Sequence, residues 1–329
     1  MGWLDMRLQS WIGRLARVAG AGAGLAGLLI LSACGGSSGA IEPFRPTRMM
    51  VLGDENSLVL PDGRKYGVNA LVSGTSNIDC AGNPMWVQTM ANTFGLVMAE
   101  CNPSGATPIT AQIYAQAGAK AADAGAQIQK ALAGGAFNDK QLVTLFFGHH
   151  DLLELYAQFP ARTQEALRAE ARARGVALGQ QVNQVARSGP AVILVTAPDL
   201  GLSPFGAAQT AAFPSETAPT RGRFLSDLTD AFNAGLRVTI INDGRLIGLV
   251  SSDQMVRDIQ PPLTAFYGYT NLATPLCPES ATPPNCSTAD VVTGGDVLTW
   301  AYATSTLYSP ALQSRLGQIA ASRAVRNPF

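Results

Sequence analysis

The stretch QLVTLFFG, which runs from Gln141 to Gly148, decides the fold class of this chain. It is a mostly apolar run, rich in branched and aromatic side chains, and a glycine ends it. Such a run is typical of a strand that is covered on both faces, because a strand with one wet face alternates apolar and polar residues. RMMVLG at 48–53 and AVILVT at 191–196 have the same character, and Leu246–Val250 is a shorter example. We therefore predict four buried strands.

Segments with helical spacing separate and follow these runs. They span Pro108–Leu132, Leu152–Ala186, Arg221–Ile241 and Ser309–Arg323. Strands that alternate with helices indicate an α/β fold, in which a short parallel sheet forms the middle of three layers. Ligands of such sheets bind at the carboxyl ends of the strands. The loops that begin at Gly53, Gly148 and Ala197 are therefore the places to look for a site.

Composition and charge exclude several functions. The chain carries 23 Lys+Arg against 23 Asp+Glu, and we see no basic cluster that would favour nucleic acid as a partner. We find no phosphate-binding glycine loop in the part that follows the N-terminal segment, so we predict no cofactor. The chain has no CxxC pair, and its two histidines lie far from its cysteines in sequence. We therefore predict no metal site.

The N-terminal segment has the pattern of an export signal. Three arginines, Arg7, Arg14 and Arg17, face a single acid, Asp5, and precede an uncharged apolar run over Val18–Leu31. That run is short for a membrane span, which needs about 20 residues, but it suits the apolar core of a signal peptide. We predict that residues 1–33 are a signal peptide.

The sequence Leu31-Ser32-Ala33-Cys34 ends this segment and predicts a lipoprotein. Small residues before a cysteine fit a lipoprotein signal peptidase, and the Cys34 thiol accepts diacylglycerol, so that acyl chains of the palmitate type would anchor the protein. Residues 34–46 would be the lipidated cysteine and a flexible tether, and 47–329 the folded domain. Because Gly35 rather than Asp follows the cysteine, we expect the outer membrane, with the protein on its periplasmic or surface face.

Four cysteines remain after Cys34. An even number in an exported chain predicts two disulfides, and four cysteines allow three pairings. Proximity in sequence favours Cys80 with Cys101 and Cys277 with Cys286.

Six short blocks, taken in order, carry a family resemblance. They are Val51–Ser57, Tyr114–Ala119, Phe147–Leu152, Thr196–Pro204, Ala231–Leu236, and Tyr267–Asn271 followed by Cys277. Together they resemble the SGNH hydrolases, also called GDSL lipases or esterases, and in particular the secreted, autotransporter-like branch. The resemblance covers nearly the whole predicted domain. It implies a three-layer flavodoxin-like fold, ester hydrolysis, and a Gly118 amide that contributes to the oxyanion hole.

The chain departs from that family at its catalytic positions. The family serine follows the aspartate of the first block directly, and here Glu55 follows Asp54. The family's oxyanion asparagine is here His150. The final Trp-Asp-x-x-His block matches Trp300–Thr306, which puts Ala301 at the aspartate position and Thr304 at the histidine position. No histidine follows His150 anywhere in the chain.

These departures predict a domain that binds rather than hydrolyses. Loss of the nucleophile or the base of a triad costs about 10⁴- to 10⁶-fold in turnover. We therefore expect a pseudoenzyme with a pocket around Asp54, Gly118, Asp151 and Thr304. Its expected partners are the membrane, through the lipid anchor, and a lipid, an acylated glycan or an envelope protein.

An active site with rearranged residues is the alternative. Ser57 lies two positions beyond the family serine, and His150 and Glu55 would lie near it if the sheet is regular. A Ser57–His150 pair oriented by Glu55, or Glu55 as base with His150 as acid, would then hydrolyse esters. Structural roles are also open: Glu55 and Asp151 as helix caps, Asp54 as a loop support, and His150 as a histidine without function.

Overall fold

A five-stranded parallel sheet runs through residues 43–326, the part of the chain that this computed structural model describes. The predicted signal peptide 1–33 and Cys34 lie outside the described residues. The five strands of this sheet are β1 (Arg48–Gly53), β4 (Ala111–Ile113), β5 (Gln141–Phe146), β6 (Ala191–Val195) and β7 (Ile247–Val250). Two further strands, β2 (Ala70–Leu71) and β3 (Ile78–Asp79), form a separate antiparallel pair. The helices are α1 (Trp86–Thr93), α2 (Ala124–Leu132), α3 (His149–Ala157), α4 (Gln164–Arg187), α5 (Pro204–Ala212), α6 (Arg221–Thr239), α7 (Ser252–Asp258) and α8 (Pro310–Val325).

The strand order β4-β1-β5-β6-β7 fixes where the sheet opens for a ligand. The chain moves from β1 outward to β4, then returns to the other side of β1 and continues through β5, β6 and β7. The direction of winding thus reverses between β1 and β5, which is the switch point where doubly wound sheets bind ligands. Gly53, the last residue of β1, pairs with Phe146, the last of β5, so both strands end level.

Helices cover the two faces of the sheet, which confirms the predicted three-layer α/β fold. Met50 and Leu52 of β1 belong to the core that packs against α2, α3, α4 and α6. Met49 and Val51 point to the opposite face and join the core with α1, α7 and α8. Because successive side chains of a strand point to opposite faces, both faces of β1 must be apolar, as the uninterrupted run predicted.

The four predicted strands are present, but two helix predictions need correction. The helix predicted over Pro108–Leu132 is wrong in its first half, where β4 pairs with β1 at the edge of the sheet and α2 begins only at Ala124. Edge pairing wins here because β1 offers its backbone groups to Ala111–Ile113, whereas helical propensity contributes only a few tenths of a kcal/mol per residue. The long helical region predicted over Leu152–Ala186 consists of two helices, α3 and α4, with the Phe159-Pro160 peptide between them.

The predicted disulfide pairing is confirmed. Cys80 bonds to Cys101 and Cys277 to Cys286, so each bridge closes a short loop. The first bridge anchors the turn-rich segment 60–102, in which the sequence analysis had not predicted helix α1. Among the described helices, none combines the length and the hydropathy that a bilayer crossing requires.

Candidate functional site

The loop after β1 begins at a position that only glycine suits. Gly53 has φ +149°, and a Cβ atom there would lie 2.5 Å from the carbonyl oxygen of Phe146. The Gln127 side chain, from α2, holds the same residue: Nε2 donates to the Gly53 carbonyl at 2.9 Å and Oε1 accepts from its N–H at 2.8 Å. The chain therefore leaves β1 close against β5.

Asp54 holds the turn that follows. Its Oδ1 accepts hydrogen bonds from the Asn56 backbone N–H and from Asn56 Nδ2, both at 2.9 Å. This is the support for the loop that the sequence analysis assigned to Asp54. The other carboxylate oxygen, Oδ2, is buried and has no hydrogen-bond partner in the described part of the chain. Burial, together with the charge of Glu55, raises the pKa of Asp54 to about 7.

Helix α3 delivers both histidines to the same place. Gly148, with φ +112°, turns the chain from β5 into the helix, and a Cβ there would lie 2.5 Å from the Cβ of Ala197. His149 and His150 are the first two residues of α3. Their rings lie next to each other, with centroids 4.9 Å apart. The level ends of β1 and β5 thus set the first turn of α3 against the Asp54–Ser57 loop.

Glu55 contacts two of the residues that the sequence analysis singled out. Its Oε1 lies 2.5 Å from His150 Nε2, and its Oε2 accepts the Gly118 N–H at 2.9 Å. Gly118 has φ +78°, a left-handed conformation that favours glycine. The structure therefore brings Glu55, Gly118 and His150 together, and both oxygens of the carboxylate are engaged.

Glu55 and His150 each stabilise the charged form of the other. The hydrogen bond that His150 donates to Glu55 raises the pKa of His150 above its usual value, despite partial burial. Burial alone would raise the pKa of Glu55, but the hydrogen bonds from His150 and Gly118 outweigh it and lower that pKa. The two residues form an ion pair in which the His150 side chain keeps 27% of its surface exposed. One side of the pair is therefore open to a ligand.

His149 is the member of the site that the sequence analysis missed. It is 1% exposed, and its Nδ1 lies 3.2 Å from Asn56 Nδ2. Its Nε2 is buried without a hydrogen-bond partner among residues 43–326. Burial lowers the pKa of His149 to about 4, so the ring is neutral near pH 7. The pair of adjacent histidines was the available signal, but only His150 aligned with a family position.

Ser57 lies in the same turn but faces away from His150. Its side chain is fully buried, and Oγ accepts the indole N–H of Trp86 at 3.2 Å. Trp86, the first residue of α1, is itself completely buried in the core. The hydroxyl therefore belongs to the packing of α1 against the loop, and the contact between Ser57 and His150 required by a rearranged triad is not formed.

The remaining predicted site residues have local roles. Asp151 is in the first turn of α3, yet it accepts the Ala121 N–H at 2.8 Å and pairs with Arg174, so it does not cap its own helix as expected. Burial raises its pKa. Thr304 Oγ1 accepts the N–H groups of Thr306 and Leu307, which closes its own loop. Ala301 is buried in the core.

A small cavity lies beside the site, below Asp151. Its volume is about 260 Å³, and it is lined by Lys120, Ala121, Ala122, Asp151, Glu154, Arg174 and Ala177. Lys120 and Arg174 both pair with Glu154 at the rim of this cavity. Asp151 therefore connects the cavity to the helix turn that carries His150.

The comparisons with known proteins give likenesses of fold. No protein-family model matches the chain, and no curated protein matches it. An acetylxylan esterase from Geobacillus stearothermophilus aligns over 87% of this chain and 98% of its own, with 11% identity and a TM-score of 0.40. An α/β hydrolase from the metagenome of Lake Arreo, Spain, aligns over 86% and 98%, with 12% identity and a TM-score of 0.40. A Bacillus subtilis protein aligns over 84% and 56%, with 13% identity and a TM-score of 0.37.

Proposed function

We propose that this chain is a ligand-binding lipoprotein of the cell envelope, built on an SGNH-hydrolase-like domain that does not hydrolyse esters by the family's serine route. The lipid at Cys34 would hold the domain at the outer membrane. The ligand would enter at the open side of His150 and be a lipid, an acylated glycan or an envelope protein. The observation that carries the proposal is the engagement of the Glu55 carboxylate by Gly118 and His150.

Glu55 changes the chemistry of the position that it occupies. By resemblance, the Gly118 amide would stabilise the oxyanion of an ester in its transition state. Here that N–H donates to a carboxylate that already carries negative charge. An ester oxyanion would therefore compete with Glu55 for the donor and be repelled by its charge, whereas catalysis needs donors that are free for the charge that develops.

Ser57, the hydroxyl nearest in sequence to the family serine position, does not compensate for this change. A serine hydroxyl is a poor nucleophile until a base accepts its proton. Ser57 Oγ accepts a hydrogen bond from Trp86 and is buried, and the Nε2 of His150 is engaged by Glu55. The route through Ser57, His150 and Glu55 would need both side chains to leave these partners.

A hydrolase that uses Glu55 and His150 alone is the competing function. The observation in its favour is the ion pair itself, because a carboxylate next to a partly exposed histidine resembles a general base with a general acid. In that case a water molecule would be the nucleophile and Ser57 would have no part.

Hydrolysis of short- and long-chain p-nitrophenyl esters tests these alternatives. We expect the purified protein, a His150→Ala variant and a Ser57→Ala variant all to release p-nitrophenol at the rate of the buffer. Turnover that His150→Ala abolishes and Ser57→Ala leaves unchanged would replace the proposal with the water-based hydrolase. Turnover that both substitutions abolish would establish the rearranged triad.

A further inference from the structure

Three metal-ligating side chains converge at the proposed site. Glu55, His149 and His150, hereafter the histidine cluster, each offer one ligand atom, and these atoms all lie within 4.8 Å of one another. His149 and His150 are also the only histidines in the chain. The spacing of the histidines from the cysteines predicts no metal site, but the third ligand comes from the loop after β1 and not from a cysteine.

Two buried polar atoms at this place lack partners. Within the described residues, His149 Nε2 and Asp54 Oδ2 make no hydrogen bond although both are inaccessible to solvent. A buried polar group without a partner costs about 1–3 kcal/mol, and such groups are rare in native proteins. A cation held by the cluster would give the His149 nitrogen a partner, whereas Asp54 is not among the residues whose ligand atoms converge.

We propose that the histidine cluster binds a divalent transition-metal ion of the zinc type. Two imidazole nitrogens and one carboxylate oxygen suit Zn²⁺ and its neighbours better than Mg²⁺ or Ca²⁺, which prefer oxygen ligands alone. Three protein ligands leave a fourth position free, as in zinc sites that take a water molecule or a substrate. Because His150 is the exposed member of the cluster, that fourth position would face solvent.

The bound state requires a small rearrangement. Zinc bonds of about 2.0–2.2 Å place tetrahedral ligand atoms roughly 3.3–3.5 Å apart. The 2.5 Å contact between Glu55 Oε1 and His150 Nε2 would therefore lengthen by about 1 Å, while His149 would move inward. The metal takes the place of the proton that Glu55 and His150 share, and this proton is released to solvent. The proton on His149 Nε2 moves to Nδ1 of the same ring, so one proton is released in all. No oxidation or reduction is involved.

Neighbouring groups contact two of the ligands. Gly118 N–H donates to Oε2 of Glu55, which leaves Oε1 as the metal-binding oxygen. Asn56 Nδ2 donates to Asp54 Oδ1 and lies against His149 Nδ1, which therefore accepts from it, so the neutral His149 ring carries its proton on Nε2 in the metal-free protein. A histidine that binds a metal through Nε2 carries its proton on Nδ1 and donates it, so the Asn56 amide would turn away from this nitrogen when the ion binds.

Direct zinc binding tests the proposal. It rests on the proposed function only for the location of the site, and it needs no ester. Untagged full-length protein carrying Cys34→Ser, which removes the thiol outside the two disulfides, would be dialysed against Zn²⁺ and its metal content measured. We expect one zinc ion per chain, and visible d–d absorption bands when Co²⁺ replaces Zn²⁺.

Single substitutions locate the ion. Glu55→Gln and His150→Ala should each weaken zinc binding at least about 100-fold, because even outer-shell changes cost 10- to 100-fold in affinity. Asp62→Asn, at an exposed ion pair with Arg64, is the control and should bind zinc normally. Circular dichroism would confirm that each variant is folded. No zinc bound by the folded parent, or normal binding by both variants, would overturn the proposal. Ester turnover by metal-free protein would refute the proposed function without bearing on zinc.

Discussion

Two clusters of charged side chains lie beyond the carboxyl ends of the sheet, and they differ in how completely their polar atoms are paired. Beyond β6, Asp199 and Asp253 pair with Arg237 and Arg257, a set called here the arginine cluster. All four carboxylate oxygens have partners: Asp253 also accepts from Thr196, and Asp199 from Ser226. The histidine cluster lies beyond β1 and β5. Within the described residues, Nε2 of His149 has no hydrogen-bond partner, and neither has Oδ2 of the neighbouring Asp54.

This difference separates a structural network from a site. A buried ionic network stabilises a fold only when each of its members is satisfied, because an unpaired buried charge is costly. The arginine cluster meets that condition within the described chain and ties the β6 loop to α6 and α7. The histidine cluster does not meet it and has one exposed member. Local inconsistencies of this kind are expected where a protein binds something.

Removal of Asp253 should produce the largest loss of stability. Asp253→Ala leaves Arg237 and Thr196 without their acceptor at a carboxylate that is 1% exposed. Breaking a buried pair from one side costs about 3–5 kcal/mol, and we expect that decrease in the free energy of unfolding in urea.

The matched control is Asp62→Ala, which removes a carboxylate from an exposed pair. Its effect should stay below about 1 kcal/mol, as for other surface ion pairs. A loss of similar size in both variants would contradict the structural role of the arginine cluster.

Zinc binding should produce the next largest change in stability, and this change should be a gain. At 100 times the dissociation constant, an ion that binds only the folded state adds about 2.7 kcal/mol to the free energy of unfolding. We expect this gain in the parent protein and not in His150→Ala, measured from urea denaturation with and without Zn²⁺. An equal gain in His150→Ala would move the ion away from the histidine cluster.

The sequence predicted the fold better than the site, for a physical reason. Strands buried on both faces must be apolar throughout, so β1, β5 and β6 could be recognised from composition alone. The three residues of β4 gave no such signal, because an edge strand in an alanine-rich segment is set by its pairing with β1. Glu55 and His150 were expected to lie close together because the strands before them are parallel neighbours.

His149 and the arginine cluster could not be predicted in this way. The role of His149 depends on the Nε2 atom being buried without a partner, which is a property of packing and not of residue type. The arginine cluster joins Asp199 to Arg257 and Asp253 to Arg237 across separate elements. In the sequence, these four residues resemble ordinary charged surface residues. They form a network only when α6 and α7 pack against the sheet.

Ser57→Ala should have a moderate effect on stability and none on the histidine cluster. The substitution leaves the buried indole N–H of Trp86 without an acceptor, which costs about 1–3 kcal/mol. The free energy of unfolding should fall by that amount, whereas zinc affinity should match that of the parent. Ser203→Ala removes a hydroxyl that accepts the Gly206 N–H at the start of α5, and provides a buried serine for comparison. If Ser57→Ala lost zinc binding and Ser203→Ala did not, Ser57 would have to be counted as part of the zinc site.

Glu55→Gln should change stability least, although it should strongly weaken zinc binding. Glutamine keeps an oxygen for the Gly118 N–H and a polar contact with His150, and the ion pair that it removes is partly open to solvent. We expect a loss below about 1 kcal/mol in urea denaturation without metal, because the substitution removes a charge but leaves no buried polar atom without a partner. Glu154→Gln, at an exposed carboxylate that pairs with Lys120 and Arg174, is the matched control. A loss as large as that of Asp253→Ala would mean that Glu55 and His150 hold the fold together. The contrast between the two clusters would then disappear, because an ion pair that stabilises the protein to that extent would not open readily for a metal ion.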